Sequence, residues 1–176
     1  LTPLSFLARA ASVHPAETAI VHGRQRFSYS EFYSRSKQLA SALNQLGIAK
    51  NETVSVLLPN VPAMLEAHHG IPMAGAVINA INTRLDPASI ATILDHAETK
   101  ALIVDTEFAK SASAALKLAK TKPFLIQYND REFPQIGRVK GAVDYETFLS
   151  AGDPNFMWEM PKDEWDAISV NYTSGT

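Results

Sequence analysis

Two spacings of apolar residues alternate along this chain. Phe32, Leu39, Leu43 and Leu46 recur at helical intervals, whereas TVSVLL (53–58), AVINAI (76–81), ALIVD (101–105) and PFLIQY (123–128) are short, nearly continuous apolar runs of the kind that form buried strands. Helix and strand patterns succeed one another from residue 28 to residue 128. That succession predicts an α/β protein with a largely parallel sheet flanked by helices.

The boundaries carry their own signals. Leu4 to Val13 reads as a short helix, and Thr18 to His22 and Gln25 to Ser28 as two short strands turning at Gly23-Arg24. Ser28-Tyr29-Ser30-Glu31 fits the S-x-x-E capping box, in which the Ser28 hydroxyl accepts from the Glu31 amide and the Glu31 carboxylate reaches back. Gly47 is a natural stop for that helix. Pro59-Asn60-Val61-Pro62 breaks the next strand and opens a helix to about Ala74, which Pro72 should kink or shorten and Gly75 should end. Asp86-Pro87 starts another helix, with Asp as N-cap and Pro where its missing N–H is not wanted. Glu107 to Ala119 reads as a further helix. From Asn129 to Trp165 the pattern loosens into a surface excursion punctuated by Pro and Gly, with one short helix at Tyr145 to Leu149. Ala167 to Tyr172 then reads as a returning strand that delivers the last four residues, Thr-Ser-Gly-Thr.

Composition narrows the class. A chain of 176 residues with 46% hydrophobic and 19% charged residues is of a size that buries roughly 70% of its unfolded surface. Sixteen basic residues against 18 acidic ones give a net charge of -2, and the one basic patch (Lys117, Lys120, Lys122) lacks interleaved aromatics, so nucleic acid is not an expected partner. The longest nearly apolar stretch, Gly70 to Ile81, holds Pro72, Gly75 and Asn79 and falls short of the roughly 20 residues of a membrane span. With no cysteine, disulfides, thiolate metal sites and cysteine nucleophiles are excluded. No charged n-region or apolar h-region stands at Leu1, so a secretory signal is not expected.

Few residues suggest chemistry on their own. Thr173, Ser174, Gly175 and Thr176 after a strand could gather backbone N–H groups and hydroxyls around an anion, although such a cluster is more often a plain turn. His68 and His69 project about 100° apart on a helix and cannot share one metal ion, which favours a packing or hydrogen-bonding role. Glu66, Asp95, His96 and Glu98 read as solvated helix faces. Asn82 and Arg84 fall just past a strand, where α/β folds place ligands. An Arg84 guanidinium tying down carbonyls of its own loop is at least an equal reading.

Three stretches in order carry a resemblance: FSYSEFYSRSKQLASALNQLGI (27–48), LPNVPAMLEAHHGIPMAGAVINAINTRLD (58–86) and EWDAISVNYTSGT (164–176). Together they resemble the N-terminal part of the adenylate-forming (AMP-binding) enzymes, which include acyl-CoA synthetases, peptide-synthetase adenylation domains and firefly luciferase. The middle stretch is similar to the branch containing plant acyl-activating enzymes and bacterial short- and medium-chain acyl-CoA ligases.

The resemblance implies that residues 1–176 are the N-terminal part of the large adenylation domain, ending inside the phosphate loop. It implies an AMP-forming acid–thiol ligase that uses ATP, Mg²⁺ and coenzyme A on a small carboxylic acid of short or medium chain. Thr173, Ser174, Gly175 and Thr176 would hold the ATP phosphates, with Tyr172 closing the strand and packing beneath the loop. The remaining catalytic residues and the metal-binding glutamate would lie past Thr176, leaving no catalytic and no metal-binding residue within the chain and making the fragment inactive alone. The expected compartment is the cytoplasm, or the peroxisome in a eukaryote; a homodimer is compatible, though the sequence does not set the oligomeric state. The competing expectation is a free-standing α/β binding or scaffolding module without chemistry.

Overall fold

The structure is a computed structural model and describes residues 2–173. Helix α1 (Pro3–Val13) has Pro3 in its first turn, and the Thr2 side chain accepts from the Leu4 amide at its head. Strands β1 (Thr18–His22) and β2 (Gln25–Ser28) form the expected antiparallel hairpin, whose turn needs Gly23 at φ +55. Helix α2 (Tyr29–Gln45) starts with the complete capping box: Ser28 Oγ accepts from Glu31 N at 3.2 Å, and Glu31 Oε2 accepts from Ser28 N at 2.7 Å.

The repeated units follow as β3 (Thr53–Leu57), α3 (Pro62–Met73), β4 (Val77–Ala80), α4 (Pro87–His96), β5 (Ala101–Asp105), a 3₁₀ turn (Thr106–Phe108), α5 (Ala109–Leu118) and β6 (Phe124–Tyr128). Then come β7 (Val143–Asp144), α6 (Tyr145–Ser150) and β8 (Ser169–Val170). Six strands form one sheet in the order β7-β6-β5-β3-β4-β8, and every neighbouring pair is parallel.

Strands β3 and β5 lie in the middle and are buried on both faces, as an unbroken apolar run requires. Val54, Val56, Ala101 and Ile103 meet Leu39 and Leu43 of α2, Ile71 of α3 and Leu149 of α6 on one face. Leu57, Leu102 and Val104 meet Ile90 and Leu94 of α4 and Ala112 and Ala115 of α5 on the other. A smaller cluster joins Leu4 and Leu7 of α1 to Ile20 of the hairpin and Phe32 of α2.

Pro72 sits in the final turn of α3, which ends one residue later. Its ring therefore shortens the helix instead of bending its middle, and Gly75 at φ +81 completes the stop. Two expectations change. The excursion after β6 contains a strand, β7, too short to leave a periodic signal, which pairs with β6 directly before Asp144 caps α6. The returning strand spans Ser169–Val170 only, because Ala167 and Asn171 to Thr173 are exposed and outside the ladder.

Gly70 explains itself by close approach. A Cβ there would stand 2.8 Å from the Ser36 carbonyl oxygen and 2.9 Å from Leu39 Cβ across the α2–α3 contact. Mid-helix glycine forgoes about 1 kcal/mol of helix propensity relative to alanine, yet Gly70→Ala is expected to destabilise the protein by about 1–3 kcal/mol through overpacking. Chemical denaturation of the variant checks this, and a gain in stability would show that the two helices can separate at no loss.

Candidate functional site

In open α/β sheets, ligands settle at the carboxyl ends of strands, especially where the strand order reverses. Here the chain passes from β3 out to β4, returns across β3 to β5, and later crosses from β7 at one edge to β8 at the other. The loop after β4 therefore leaves at the carboxyl end of its strand, whereas the segment after the neighbouring β8 turns back toward the amino ends of β3 and β5. The loop holds Asn82, whose Oδ1 accepts from the Arg84 amide at 3.0 Å. Arg84 is exposed, and among the described residues its guanidinium ties down no carbonyl, so it is available to an anion. Asp86 closes the loop by accepting from Ala88 and Ser89 amides at the head of α4, and its hydrogen bonds with Ser89 hold its carboxyl below the ordinary range.

Of the four terminal residues, Thr173 is described and is exposed outside regular structure; Ser174, Gly175 and Thr176 lie outside the described residues. Tyr172 differs from expectation. Its hydroxyl is 2.8 Å from His96 Nδ1, with the rings edge to face at 5.6 Å, so it packs against the end of α4. It shares a groove of about 390 Å³ with Asn51, Thr53 and Lys100, at the edge where β3 and β5 begin. The reason is local: with pairing finished at Val170, the ring gains a hydrogen bond and an aromatic contact by turning back.

His69 packs as expected, edge to face with Phe32 at 5.3 Å. Burial keeps the His68 and His69 imidazoles below the ordinary histidine range, His69 further by the charge of His68. Among the described residues no group of three His, Cys, Asp or Glu side chains could hold a metal ion, and no helix is long and apolar enough to cross a membrane.

One acidic residue read as solvated is not. Glu66 is fully buried: its carboxylate takes Arg35 Nε at 2.5 Å and Nη2 at 3.3 Å, and accepts from the Tyr145 hydroxyl at 2.7 Å. Arg35 also makes a forked pair with Glu146, at 3.0 and 2.7 Å. Burial opposes the Arg35 charge, but hydrogen bonds to Glu146 and Glu66 outweigh it and hold the guanidinium above its ordinary range. Burial likewise raises Tyr145, reinforced by the Glu66 charge. This network fastens α2, α3 and α6 together. Asp95 accepts from the Thr121 and Lys120 amides at 2.8 and 3.1 Å, tying α4 to the end of α5; those bonds hold its carboxyl low.

A second charged group escaped the sequence reading. Asp105 ends β5, and Asp130 stands two residues past β6 with its Oδ2 2.8 Å from His22 Nε2 of the hairpin. The only hint in the sequence is an aspartate closing the apolar run ALIVD.

A family model described as AMP-binding enzyme matches residues 7–176. Among similar proteins, an acetate–CoA ligase of Humulus lupulus is 44% identical over 187 residues, a match covering 100% of this chain and 33% of the relative. A peroxisomal acetate/butyrate–CoA ligase of Arabidopsis thaliana is 43% identical with the same coverage. The chain thus spans about a third of the length of the curated relatives it matches. Among solved structures, an anthranilate CoA ligase in complex with anthranoyl-AMP aligns over 98% of this chain and 32% of its own, with TM-score 0.87 and 22% identity. A benzoate CoA ligase from Burkholderia xenovorans aligns over 86% and 28%, with TM-score 0.72 and 24% identity. At those identities the likeness is one of fold.

Proposed function

The chain belongs to the AMP-binding enzyme family, and on that premise we propose that it is the N-terminal part of the adenylation domain of an ATP-dependent acyl-CoA synthetase acting on a short- or medium-chain carboxylic acid. The observation that carries this reading is the match along the entire chain to plant CoA ligases at 43–44% identity. In the proposed reaction the substrate carboxylate attacks the α-phosphorus of ATP and pyrophosphate leaves; the thiol of coenzyme A then attacks the acyl carbonyl and AMP leaves.

The share assigned to this chain is grip and charge. Thr173, Ser174, Gly175 and Thr176 hold the β- and γ-phosphates by backbone N–H and hydroxyl donors, so that pyrophosphate departs from a fixed position. Mg²⁺ neutralises phosphate charge when bound, and the described residues supply no cluster to cage it. Arg84 offers a charged fork to a phosphate-bearing substrate from the loop beside β8. The cytoplasm is the proposed compartment, with the peroxisome as the alternative; the peroxisomal naming of some relatives supports the latter.

The test is pyrophosphate release by the full-length protein given ATP, Mg²⁺ and each of acetate, butyrate, octanoate, benzoate and cinnamate, followed by thioester formation when coenzyme A is added. Acid-dependent release with butyrate or octanoate is expected. No release with any acid would overturn the reading in favour of a non-catalytic module. In the same protein Arg84→Ala is expected to raise KM for ATP or for coenzyme A by about 10- to 100-fold, the worth of a charge-assisted hydrogen bond of roughly 1.5–3 kcal/mol. Unchanged values for both substrates would remove Arg84 from the site.

A further inference from the structure

A cavity of about 440 Å³ lies at the amino ends of β4 and β8, lined by Ala76 directly before the one and Ile168 directly before the other. The two strands run parallel, so this is the end of the sheet opposite the Asn82–Arg84 loop. One wall is the end of α3, with Pro72 and Met73; another is an irregular strap, residues 156–162.

The strap is fastened on both sides of its middle. Phe156 and Trp158 pack on the small cluster that holds Leu4 and Met73, and Trp158 Nε1 donates to the Tyr33 hydroxyl at 2.8 Å. Past the strap Asp163 folds a turn, its Oδ1 accepting from the Trp165 amide at 2.9 Å, and Lys50 Nζ donates to Asp166 Oδ2 at 2.8 Å. Along this stretch Met157 is 86% and Met160 54% exposed. Large apolar side chains thus stand in water beside an apolar cavity. Methionine, unbranched and flexible, packs against apolar bodies of varied shape.

Four ionisable side chains line the cavity: Lys50, Glu159, Lys162 and Asp166. Lys50 and Asp166 neutralise each other. Lys162 has no acidic partner among the described residues, and Glu159 is exposed three positions before it on the strap. Ligand pockets span roughly 300–1,000 Å³, are mostly apolar, and carry a few polar groups that fix orientation.

We infer that this cavity binds an amphipathic monocarboxylate, an alkyl chain of medium length with one carboxylate head, at a site separate from the phosphate-gripping end of the sheet. The tail lies along Met73, Met157 and Met160, and the head meets Lys162 with Lys50 beside it. Asp166 already seats one carboxylate on Lys50, the contact that such a head group repeats. The inference stands on the cavity alone and does not rest on the reaction proposed above.

Photolabelling of the full-length protein with a decanoate analogue that carries a diazirine near the end of its tail, followed by peptide mapping, tests the site. Label is expected in peptides containing 72–76 and 156–162, displaced by unlabelled decanoate or octanoate. Decanol and decylamine have the same tail without the carboxylate and are expected to need at least about tenfold more for equal displacement, the lower end of the worth of a charge-assisted hydrogen bond. Lys162→Glu is expected to weaken displacement by decanoate at least about tenfold on the same ground, and Glu159→Gln, which removes the facing anion that no lysine holds, to strengthen it. Both side chains are exposed, so neither substitution disturbs the core. Label absent from both peptides would show that other parts of the full-length chain cover the cavity and would overturn the inference, as would label confined to the carboxyl ends of the strands. Equal displacement by decanol and decanoate, or a Lys162→Glu variant that matches wild type, would overturn the carboxylate assignment.

Discussion

Replacing Glu66 with alanine is expected to lower the unfolding free energy by about 3–5 kcal/mol, the cost of removing one partner from a buried ion pair. Total stability is typically only about 5–15 kcal/mol, so the variant should lose a large fraction of it and unfold at a much lower urea concentration. The loss does not measure what the network contributes to stability, because taking both charges out of water already offsets much of their attraction. It measures what the truncation strands: an Arg35 side chain only 20% exposed, left with Glu146 alone, and a fully buried Tyr145 hydroxyl without its acceptor. Glu66→Gln keeps the volume and can still accept one hydrogen bond, so it should lose less than alanine. Tyr145→Phe removes one donor and leaves both charges paired, and should lose about 1.5–3 kcal/mol. Urea denaturation of the three variants orders them. If Glu66→Ala lost less than about 1 kcal/mol, solvent would have reached Arg35 and the network would not fasten the three helices.

The same network shows where legibility ended. The central strands could be read because burial on both faces demands continuous apolar runs, and α2 and α4 because their caps are local: Ser28 with Glu31, and Asp86 before Pro87. Glu66 could not be read. Its partners Arg35 and Tyr145 are 31 and 79 residues away, and no local pattern separates a carboxylate facing water from one facing a guanidinium. Asp95 does lie on a partly solvated helix face, but its hydrogen bonds could not be read for a related reason, since it accepts from amides 25 and 26 residues later in sequence. Strand β7, two residues long, exists because Asp144 must begin α6 beside β6, and pairing of that length leaves no period to detect. The terminal Thr-Ser-Gly-Thr was chemically mute by itself; only the ordered resemblance of three distant stretches gave it a role.

The phosphate-holding role proposed for it carries the last and largest expected effect. Adenylation requires the substrate carboxylate in line with the α-phosphorus while charge shifts onto departing pyrophosphate, and alignment alone can lower such a barrier by roughly 7–11 kcal/mol. In the proposed reaction, donors from Thr173 to Thr176 on the β- and γ-phosphates would supply alignment from one side. Losing one preorganised donor from a charge-stabilising site typically slows catalysis by about 10²–10³-fold. In the full-length protein, Thr173→Ala and Thr176→Ala are therefore each expected to slow pyrophosphate formation by about that factor. Thioester formation from supplied acyl-adenylate should change far less, because pyrophosphate has already left. Equal losses in both half-reactions would contradict the phosphate grip and place these residues in general support of the fold. The 176-residue chain by itself is expected to release no pyrophosphate from ATP, Mg²⁺ and butyrate or octanoate, since it spans 33% of the ligases it matches. Turnover by this chain would mean that these residues bring the carboxylate and the α-phosphorus together unaided, and it would move the chemistry from the remaining two-thirds of such proteins to the sheet described here.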